Sequence, residues 1–279
     1  MARKPLSVVV TDFNSAGTIE RCLESVAWAE DVFVLDSGSS DATPRIAERF
    51  GARFAVQPFR GYALQKQDAI DRALHDWVLL LDSDEALAPG ARAVIETALE
   101  SPNAQGFTLP RREFVFWRLA HGGIRQDRFL RLFDRSATAM SADRVHESPR
   151  CSGRVEALDA QLLHWGQPDI ATKVDKLNRY STLAAGDDTQ RRDPNGGSGL
   201  RMLWYPTFVF WRQYLFKRHF LNGWAGFIAA RSMAFYALMK DAKRLEGRYR
   251  SSVPAPAPGG SDTPASEGNL SGASTDGSP

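Results

Sequence analysis

Short apolar, β-branched runs alternate with amphipathic segments in the amino-terminal part of the chain, and this alternation restricts the fold more than any other feature. Apolar runs bounded by polar turns are typical of buried strands, whereas apolar residues at helical spacing, as between Ile19 and Val26, are typical of helices. The predicted strands are Leu6–Thr11, Val32–Leu35, Arg53–Val56, Trp77–Leu81, Phe107–Leu109 and Phe114–Phe116, and the predicted helices are 15–28, 42–50, 63–74 and 89–100. Strands that alternate with helices indicate an α/β fold with a mostly parallel sheet.

Polar residues follow three of the predicted strands, at Thr11–Asn14, Asp36–Asp41 and Asp82–Asp84. Because ligands of such sheets bind beyond the carboxyl ends of the strands, these segments are expected to form one site. Asp82 and Asp84 follow the most apolar strand, so both carboxylates can reach a Mg²⁺ or Mn²⁺ ion that also binds diphosphate oxygens. The alternative is that these acids only form polar turns.

The near-neutral net charge of the chain is a sum of three unlike parts. Lys and Arg number 35 against 33 Asp and Glu, and this balance excludes both a polybasic nucleic-acid-binding tail and an acidic disordered chain. Residues 200–250 carry +8 and residues 251–279 carry −3, which leaves −3 for residues 1–199. We interpret residues 1–199 as the α/β domain, 200–250 as a basic helical extension and 251–279 as a disordered tail.

The basic extension is also rich in aromatic residues. Those between residues 200 and 240 are Trp204, Tyr205, Phe208, Phe210, Trp211, Tyr214, Phe216, Phe220, Trp224, Phe227, Phe235 and Tyr236. Aromatic rings interleaved with Arg and Lys are typical of a helix that meets anionic lipid at a membrane surface, although these residues could instead pack on the body. Single-stranded nucleic acid binds similar surfaces. No nucleic-acid partner is expected, however, because the sequence has no nucleic-acid-binding motif.

Four segments, in order, resemble the motifs of family 2 glycosyltransferases with the GT-A fold. They are Ser7-Val-Val-Val-Thr-x-Phe-Asn14, Val34-Leu-Asp-Ser-Gly-Ser-Ser-Asp41, Gln65-Lys66-Gln67 and Leu81-Asp-Ser-Asp-Glu85. Further segments resemble the lipopolysaccharide-core β-1,4-glucosyltransferases that act on inner-core heptose. They are His121-Gly122-Gly123, Arg131-Leu-Phe133, Arg144-Val-His-Glu147, Lys176-Leu-Asn-Arg-Tyr180 and Phe216-Lys-Arg-x-Phe-Leu-Asn-Gly-Trp224. The resemblance implies a Rossmann-like GT-A domain.

The resemblance also implies a UDP-sugar donor, with UDP-glucose favoured, and transfer with inversion. Residues at the family's nucleotide positions are Thr11, Asn14 and Asp36, with Lys66 nearby. Asp82 and Asp84 match the pair that binds the ribose-diphosphate and a divalent metal ion, which stabilises charge on the departing diphosphate. His146 could reach the same metal ion.

Inversion by a single displacement needs a general base that takes the proton of the acceptor hydroxyl. Asp127 loosely resembles the family's acidic catalytic motif, which a Leu-x-x-Arg-like helix follows, and Glu147 lies next to His146. Asp127 is slightly favoured over Glu147 as the base. Both could be structural, because Asp127 lies among arginines in the sequence and a lone histidine is usually a structural residue.

Basic residues interleaved with aromatic ones between positions 111 and 131 predict a groove for an acidic acceptor, although they could also form a solvated face. The residues expected to bind the acceptor are Arg111, Arg112, His121, Arg128 and Arg131. Arg binds phosphate through two parallel hydrogen bonds, which suits a phosphorylated lipopolysaccharide core or related glycolipid. His164 and Trp165 are interpreted as structural residues.

Two other functions fit parts of the pattern. A haloacid-dehalogenase-like phosphatase would use Asp82 and Asp84, but Ala86 stands where that family has Thr or Val. A non-catalytic membrane-surface protein would keep the fold without needing Asp84. The two cysteines are too few for a disulfide framework, and no apolar run is long enough to span a membrane. We therefore expect a peripheral protein on the cytoplasmic face of the inner membrane.

Overall fold

The computed structural model describes residues 3–141, 148–167, 169–190 and 198–252. The strands within these ranges are β1 (Leu6–Asp12), β2 (Asp31–Asp36), β3 (Arg53–Val56), β4 (Trp77–Asp82), β5 (Glu85–Leu87), β6 (Gly106–Val115), β7 (Arg118–Leu119), β8 (Asp127–Asp134), β9 (Thr138–Met140), β10 (Pro149–Cys151), β11 (Val155–Ala157) and β12 (Leu162–Gln167). The α-helices are α1 (Ile19–Val26), α2 (Thr43–Arg49), α3 (Tyr62–Asp71), α4 (Ala91–Glu100), α5 (Ile170–Gln190), α6 (Ser198–Trp211) and α7 (Gly223–Ser252).

One sheet contains most of these strands, in the order β3-β2-β1-β4-β8-β6-β12-β5, with β7 and β11 attached to β6. Strands β3, β2, β1 and β4 are parallel, and β6 and β12 form a second parallel pair. Strand β8 is antiparallel to both β4 and β6, so β6 and β12 run in the same direction as β4. The predicted α/β fold is confirmed, and six strands end at one edge of the sheet.

The sheet is buried on both faces because alternate residues of each central strand pack against different helices. On one face, Val8 and Leu79 share a core with Leu23 of α1. On the other face, Val9 and Leu80 share a core with Ile70 of α3. Burial of successive residues on opposite faces explains why β1 and β4 are continuous apolar runs.

Several predicted elements are confirmed, and the predicted break between residues 109 and 114 is wrong. The helical spacing of α1 is confirmed, since its buried residues are Ile19, Cys22, Leu23 and Val26. The two strands predicted over 107–116 form one strand, β6. The polar residues in its middle lack the apolar pattern that predicts a strand. Its Arg111 is held there by Glu85 and Glu113. Residues 127–134, which begin with the predicted catalytic acid, form β8 and pair with β4 and β6.

The carboxy-terminal helices pack on one another and on α5. Arg201 of α6 and Asp241 of α7 form an ion pair with Nε and Oδ2 2.9 Å apart, and Asp241 is buried. Phe210 of α6 packs against Ala230 and Ala234 of α7. The connection between α6 and α7 consists of a π-helical turn, Arg212–Phe216, and a 3₁₀ turn, His219–Asn222. No helix in the described ranges combines the length and apolar character needed to cross a bilayer.

Candidate active site

The polar strand ends that the sequence singles out lie side by side at the carboxyl edge of the sheet. In the parallel register, Thr11 of β1 is the partner of Asp82 on β4 and of Leu35 on β2. The next residue of β1, Asp12, is the partner of Asp36. The prediction that these three segments share one edge is therefore confirmed.

Asn14 holds the loop that follows β2. The backbone of Asn14 is in the left-handed region, with φ of 50°, a conformation that Asn tolerates better than most residues. Its N–H donates to Ser39 Oγ at 2.7 Å, and its Oδ1 accepts from the Ser40 N–H at 2.9 Å. The two loops beyond β1 and β2 are thus joined through one side chain.

Asp36 is used by its own turn. Its Oδ2 accepts the N–H groups of Gly38 and Ser39 at 2.8 and 2.7 Å, and its Oδ1 accepts the Ser39 hydroxyl. Asp36 is fully buried, and Gly38 has a φ of 98°, which favours glycine. Asp36 therefore forms the turn after β2, and its predicted contact with a nucleoside stays a prediction.

Asp82 lies between two cations. Its Oδ1 is 2.8 Å from Lys66 Nζ of α3, and its Oδ2 is 2.9 Å from a guanidinium nitrogen of Arg131 on β8. Burial opposes the charged form of Asp82, but the charges of Lys66 and Arg131 hold its pKa far below the usual range. Asp82 is therefore an anion at all working pH values, and the predicted proximity of Lys66 to this acid is observed.

Glu85 is a buried centre of this network, and sequence reasoning gave it no role. Its Oε1 accepts from Arg131 at 2.6 Å and from Arg111 at 3.0 Å, while its Oε2 accepts the Asp82 N–H at 3.2 Å. Arg131 is only 5% exposed. The predicted acceptor role does not fit Arg131, because its guanidinium is enclosed and holds Asp82 and Glu85.

Asp84 belongs to a second network, which contains His164 and Glu113. In the sheet, β12 runs between β5 and β6, so His164 is the register partner of both Glu85 and Glu113. His164 Nε2 is 3.3 Å from Asp84 Oδ2, and His164 Nδ1 is 2.5 Å from Glu113 Oε2. The Trp165 N–H also donates to the Asp84 carbonyl oxygen at 2.9 Å. A histidine interpreted as structural thus contacts the second acid of the Asp-x-Asp pair.

The two carboxylates change the protonation of His164. Burial by itself would lower its pKa, but hydrogen bonds to Asp84 and Glu113, together with their charges, raise the pKa of His164 to about 9. Burial likewise opposes the charged form of Asp84, yet His164 lowers the pKa of that carboxyl below its usual value. In the absence of a metal ion, His164 is therefore a cation at neutral pH.

This protonation predicts a pH-dependent stability. The pKa of His164 is about 9 in the folded state and about 6.5 when unfolded, so its stabilising contribution is complete below pH 6.5 and is lost as the pH rises to about 9. In EDTA, we expect the unfolding free energy of the parental protein to fall by up to about 3 kcal/mol across this window relative to that of His164→Gln, because both proteins share every other titrating group. Urea titrations at several pH values measure the difference.

A matched histidine variant serves as the control for this measurement. His121 is exposed, and His121→Gln should leave the pH dependence between 6.5 and 9 as in the parental protein. If His164→Gln shows the parental slope as well, the stabilising protonation of His164 is refuted.

Asp84 and His164 also have the chemistry of a divalent-metal site. Within the part of the chain that the structure describes, no group of three or more His, Cys, Asp or Glu side chains is arranged to hold a metal ion. Mg²⁺ and Mn²⁺ in transferases are commonly held by one or two protein ligands, with phosphate oxygens and water completing the shell. The carboxylate of Asp84 and the imidazole of His164 fit such a two-ligand site.

Of the two candidate bases, only Asp127 lies within the described residues. Asp127 begins β8, opposite Arg111 of β6, and its exposed carboxylate is 2.6 Å from Lys217 Nζ in the turn between α6 and α7. Among the described residues, Asp127 therefore pairs with a lysine of the extension. It does not pair with the arginines next to it in the sequence. Glu147 lies outside the described residues, as does His146.

The remaining residues predicted to bind the acceptor lie around the same side of the sheet. Arg112 donates to the Ala120 carbonyl oxygen at 2.5 Å, and the His121 N–H donates to Asn222 Oδ1 at 2.7 Å. Arg128 is exposed at the start of β8 and forms an ion pair with Asp159 at 3.0 Å. Asn222 is buried, so the His121 loop and the extension are joined through an enclosed contact.

Comparison with known proteins identifies the family. The family model described as glycosyl transferase family 2 matches residues 7–157, more than half of the chain. The lipopolysaccharide core biosynthesis glycosyltransferase LpsC of Rhizobium meliloti is 29% identical over 248 residues, covering 86% of this chain and 91% of that protein. An uncharacterized glycosyltransferase of Rickettsia felis is 26% identical over 265 residues, covering 88% and 91%.

A solved structure supports the fold. The mannosyltransferase PcManGT from Pyrobaculum calidifontis, in complex with GDP-Man and Mn²⁺, has a TM-score of 0.52 and 15% identity, covering 88% of each chain. The predicted GT-A fold with carboxy-terminal helices is confirmed. The chain belongs to glycosyl transferase family 2 and is a glycosyltransferase that resembles the lipopolysaccharide-core enzymes.

Proposed function

We propose that the protein transfers a sugar, with glucose from UDP-glucose as the favoured donor, onto a lipopolysaccharide-core or related cell-envelope glycan, with inversion at the anomeric carbon. The contact of Asp84 with His164 at the carboxyl edge of the sheet carries the proposal, because it supplies two metal ligands beside the nucleoside loops. The similarity to LpsC over nearly the whole of both chains supports the acceptor class.

The donor is held by residues of three neighbouring strand ends. Thr11 and Asn14 contact the nucleoside, and Asp36 shapes the loop that Asn14 fastens. Lys66 and Arg131 keep the Asp82 carboxylate in a fixed position toward the ribose and diphosphate. Asp84 and His164 would hold Mg²⁺ or Mn²⁺, which as a Lewis acid stabilises negative charge on the departing diphosphate.

A base on the opposite side of the sugar receives the proton of the acceptor hydroxyl. We retain Asp127 as the base, with Glu147 as the other candidate. Lys217 orients Asp127 in the absence of acceptor, since Lys217 Nζ and Asp127 Oδ1 are 2.6 Å apart. Comparing Asp127→Asn with Glu147→Gln at saturating donor assigns the base, and near-parental turnover in both would exclude the pair.

The acceptor lies on the side of the sheet formed by β6, β8 and the turn between α6 and α7. Arg112, Arg128 and His121 are the residues we propose for it. Arg128 is the best placed for a phosphate group because it is exposed. The Thr108 and Leu158 carbonyl oxygens hold one end of its guanidinium, and its acidic partner, Asp159, is exposed, so an anionic acceptor can replace it.

The experiment that tests the reaction uses the purified full chain with Mn²⁺ and a panel of nucleotide sugars. The panel contains UDP-glucose, UDP-galactose, UDP-N-acetylglucosamine and GDP-mannose, each with and without a heptose-containing core acceptor. We expect acceptor-dependent release of UDP from UDP-glucose. Absence of nucleotide release from every donor would refute the proposed reaction. The match to glycosyl transferase family 2 argues against the two alternatives, a phosphatase and a non-catalytic membrane protein.

We propose that the enzyme binds an anionic membrane surface, where it meets its acceptor. Apolar side chains at helical spacing cover the outer face of α6 and continue into the following turn. The exposed members are Leu200, Leu203, Trp204, Phe208, Trp211, Leu215 and Phe216. The opposite face of α6 is packed on α7 through Phe210, so this row is not needed for folding. Exposed Arg212 and Arg218 adjoin it and complement anionic headgroups.

Substitution within this row tests the membrane proposal. Inserting one Leu or Trp side chain into a bilayer is favourable by about 1.5–3 kcal/mol, so replacing two of them should weaken partitioning by at least about a hundredfold. We expect Leu203→Ser/Trp204→Ser to lose flotation with vesicles that contain anionic phosphatidylglycerol. Recovery with the floating lipid fraction is the measurement.

The control for flotation replaces an exposed leucine elsewhere. Leu74 follows α3 and is exposed to a similar degree, and Leu74→Ser should float like the parental protein. Vesicles of neutral phosphatidylcholine alone should recover less parental protein than anionic ones. Equal flotation of the double variant and the parental protein would refute the surface.

A further inference from the structure

Lys173 is a largely buried lysine of α5. It lies in the first turn of α5, where its N–H donates to the Asp169 carbonyl oxygen at 3.2 Å. The residue is only 7% exposed. Among the described residues, none forms a hydrogen bond or an ion pair with its ammonium. A charge on a largely buried side chain is costly unless water or a ligand compensates it.

The surroundings of Lys173 connect it to the second network of the site. The charges that act on it are those of Glu113, which contacts His164, and Lys176 on the next turn of α5. Lys176 Nζ donates to the Gly166 carbonyl oxygen at 2.7 Å, directly after the His164-Trp165 pair of β12. The first turns of α5 therefore face the strand end that carries the proposed metal ligands.

The local electrostatics favour an anion at this position. Burial, followed by the charge of Lys176, lowers the pKa of Lys173 to about 8, and an anionic ligand would reverse this shift. The partial positive charge at the amino terminus of α5 is already offset by Asp169, whose Oδ1 accepts the Thr172 N–H at 2.7 Å. The positive charge at this position therefore comes from Lys173 and from Lys176, one turn away.

We propose that Lys173 binds the diphosphate of the nucleotide-sugar donor and stabilises it as a leaving group; this inference rests on the proposed function. In the transfer, the acceptor oxygen forms a bond to the anomeric carbon as the bond from that carbon to the diphosphate oxygen breaks. The electron pair of the broken bond stays on the diphosphate, and the hydroxyl proton passes to the base. The ammonium of Lys173 neutralises the charge that develops on the diphosphate.

Nucleotide binding by a charge-neutral variant tests this role without turnover. Calorimetric titration with UDP in Mn²⁺ is expected to show at least about tenfold weaker binding by Lys173→Met, because a hydrogen bond to a charged group is lost. Uridine, which lacks both phosphates, should bind the variant and the parental protein equally. Lys173→Arg should recover most of the affinity, and Lys173→Gln serves if the Met variant does not fold.

A surface lysine provides the matched control. Lys4 is exposed near the amino end of β1, at the opposite edge of the sheet, and Lys4→Met should bind UDP like the parental protein. UDP affinity of the Lys173 variant within twofold of parental would overturn the inference, and a rise only in the acceptor KM would overturn it in favour of an acceptor anion. If the parental protein itself binds no UDP, the donor assignment of the proposed function fails instead.

Discussion

Asp84→Asn is expected to lower the transfer rate at saturating donor by about a thousandfold, which corresponds to roughly 4 kcal/mol of transition-state stabilisation. The asparagine oxygen can still accept a hydrogen bond from His164, so the fold should be retained. The substituted side chain, however, lacks the negative charge that holds a divalent cation. Initial rates over a Mn²⁺ series measure the effect, and EDTA should lower the parental rate to the level of the variant.

The control for this prediction makes the same change at the other edge of the sheet. Asp76 precedes β4 and is exposed, with a loose ion pair to Arg135 at 3.8 Å. Asp76→Asn should keep the parental rate and metal dependence. Asp84→Asn with more than a tenth of the parental activity would contradict the role of this carboxylate.

Arg131→Met is expected to destabilise the protein by about 3 kcal/mol, because breaking a buried ion pair leaves its partner charges uncompensated. The substitution removes the guanidinium that Asp82 and Glu85 share, and Glu85 is fully buried. Lys66 and Arg111 remain, so the loss should fall at the lower end of the range for buried pairs. Urea unfolding at pH 7 gives the free-energy difference.

A neighbouring arginine on the same strand separates burial from charge. Arg128 contacts an exposed acid and the carbonyl oxygens of Thr108 and Leu158, so Arg128→Met should cost about 1–2 kcal/mol, less than Arg131→Met. Adding Glu85→Gln to Arg131→Met should cost less than the sum of the two single changes, since the pair is broken only once. Additive costs, or equal costs at positions 128 and 131, would show that the buried network is not the source.

The sequence predicts the parallel half of the sheet well because its signals are local. In Trp77–Asp82, a continuous apolar run is followed by an acid, and both facts are visible within a few residues. The position of the site at the carboxyl edge then follows from the general geometry of parallel sheets. Helix α1 can also be predicted from the sequence, because its buried residues repeat at helical spacing.

The residues that sequence reasoning missed are brought to the site by distant pairing. Glu113 and His164 are in contact because β12 lies between β5 and β6 in the sheet. The spacing of residues along the sequence does not predict this strand order. Glu85 directly follows the Asp-x-Asp pair in the sequence. Its partner Arg131 lies on β8, and only the pairing of β8 with β4 places the two side by side. One signal was present: His164 follows two leucines, the same pattern of apolar run and polar end that marks Asp82.

The contacts between the extension and the body bear on how the enzyme can be dissected. Lys217 and Asn222 lie beyond the boundary predicted at residue 199, yet they hold Asp127 and the His121 loop. A truncated chain ending at that boundary would lose the lipid-facing row and these supports together. Such a deletion cannot report on membrane recruitment alone, and point substitutions on the outer face of α6 are the cleaner way to uncouple recruitment from turnover.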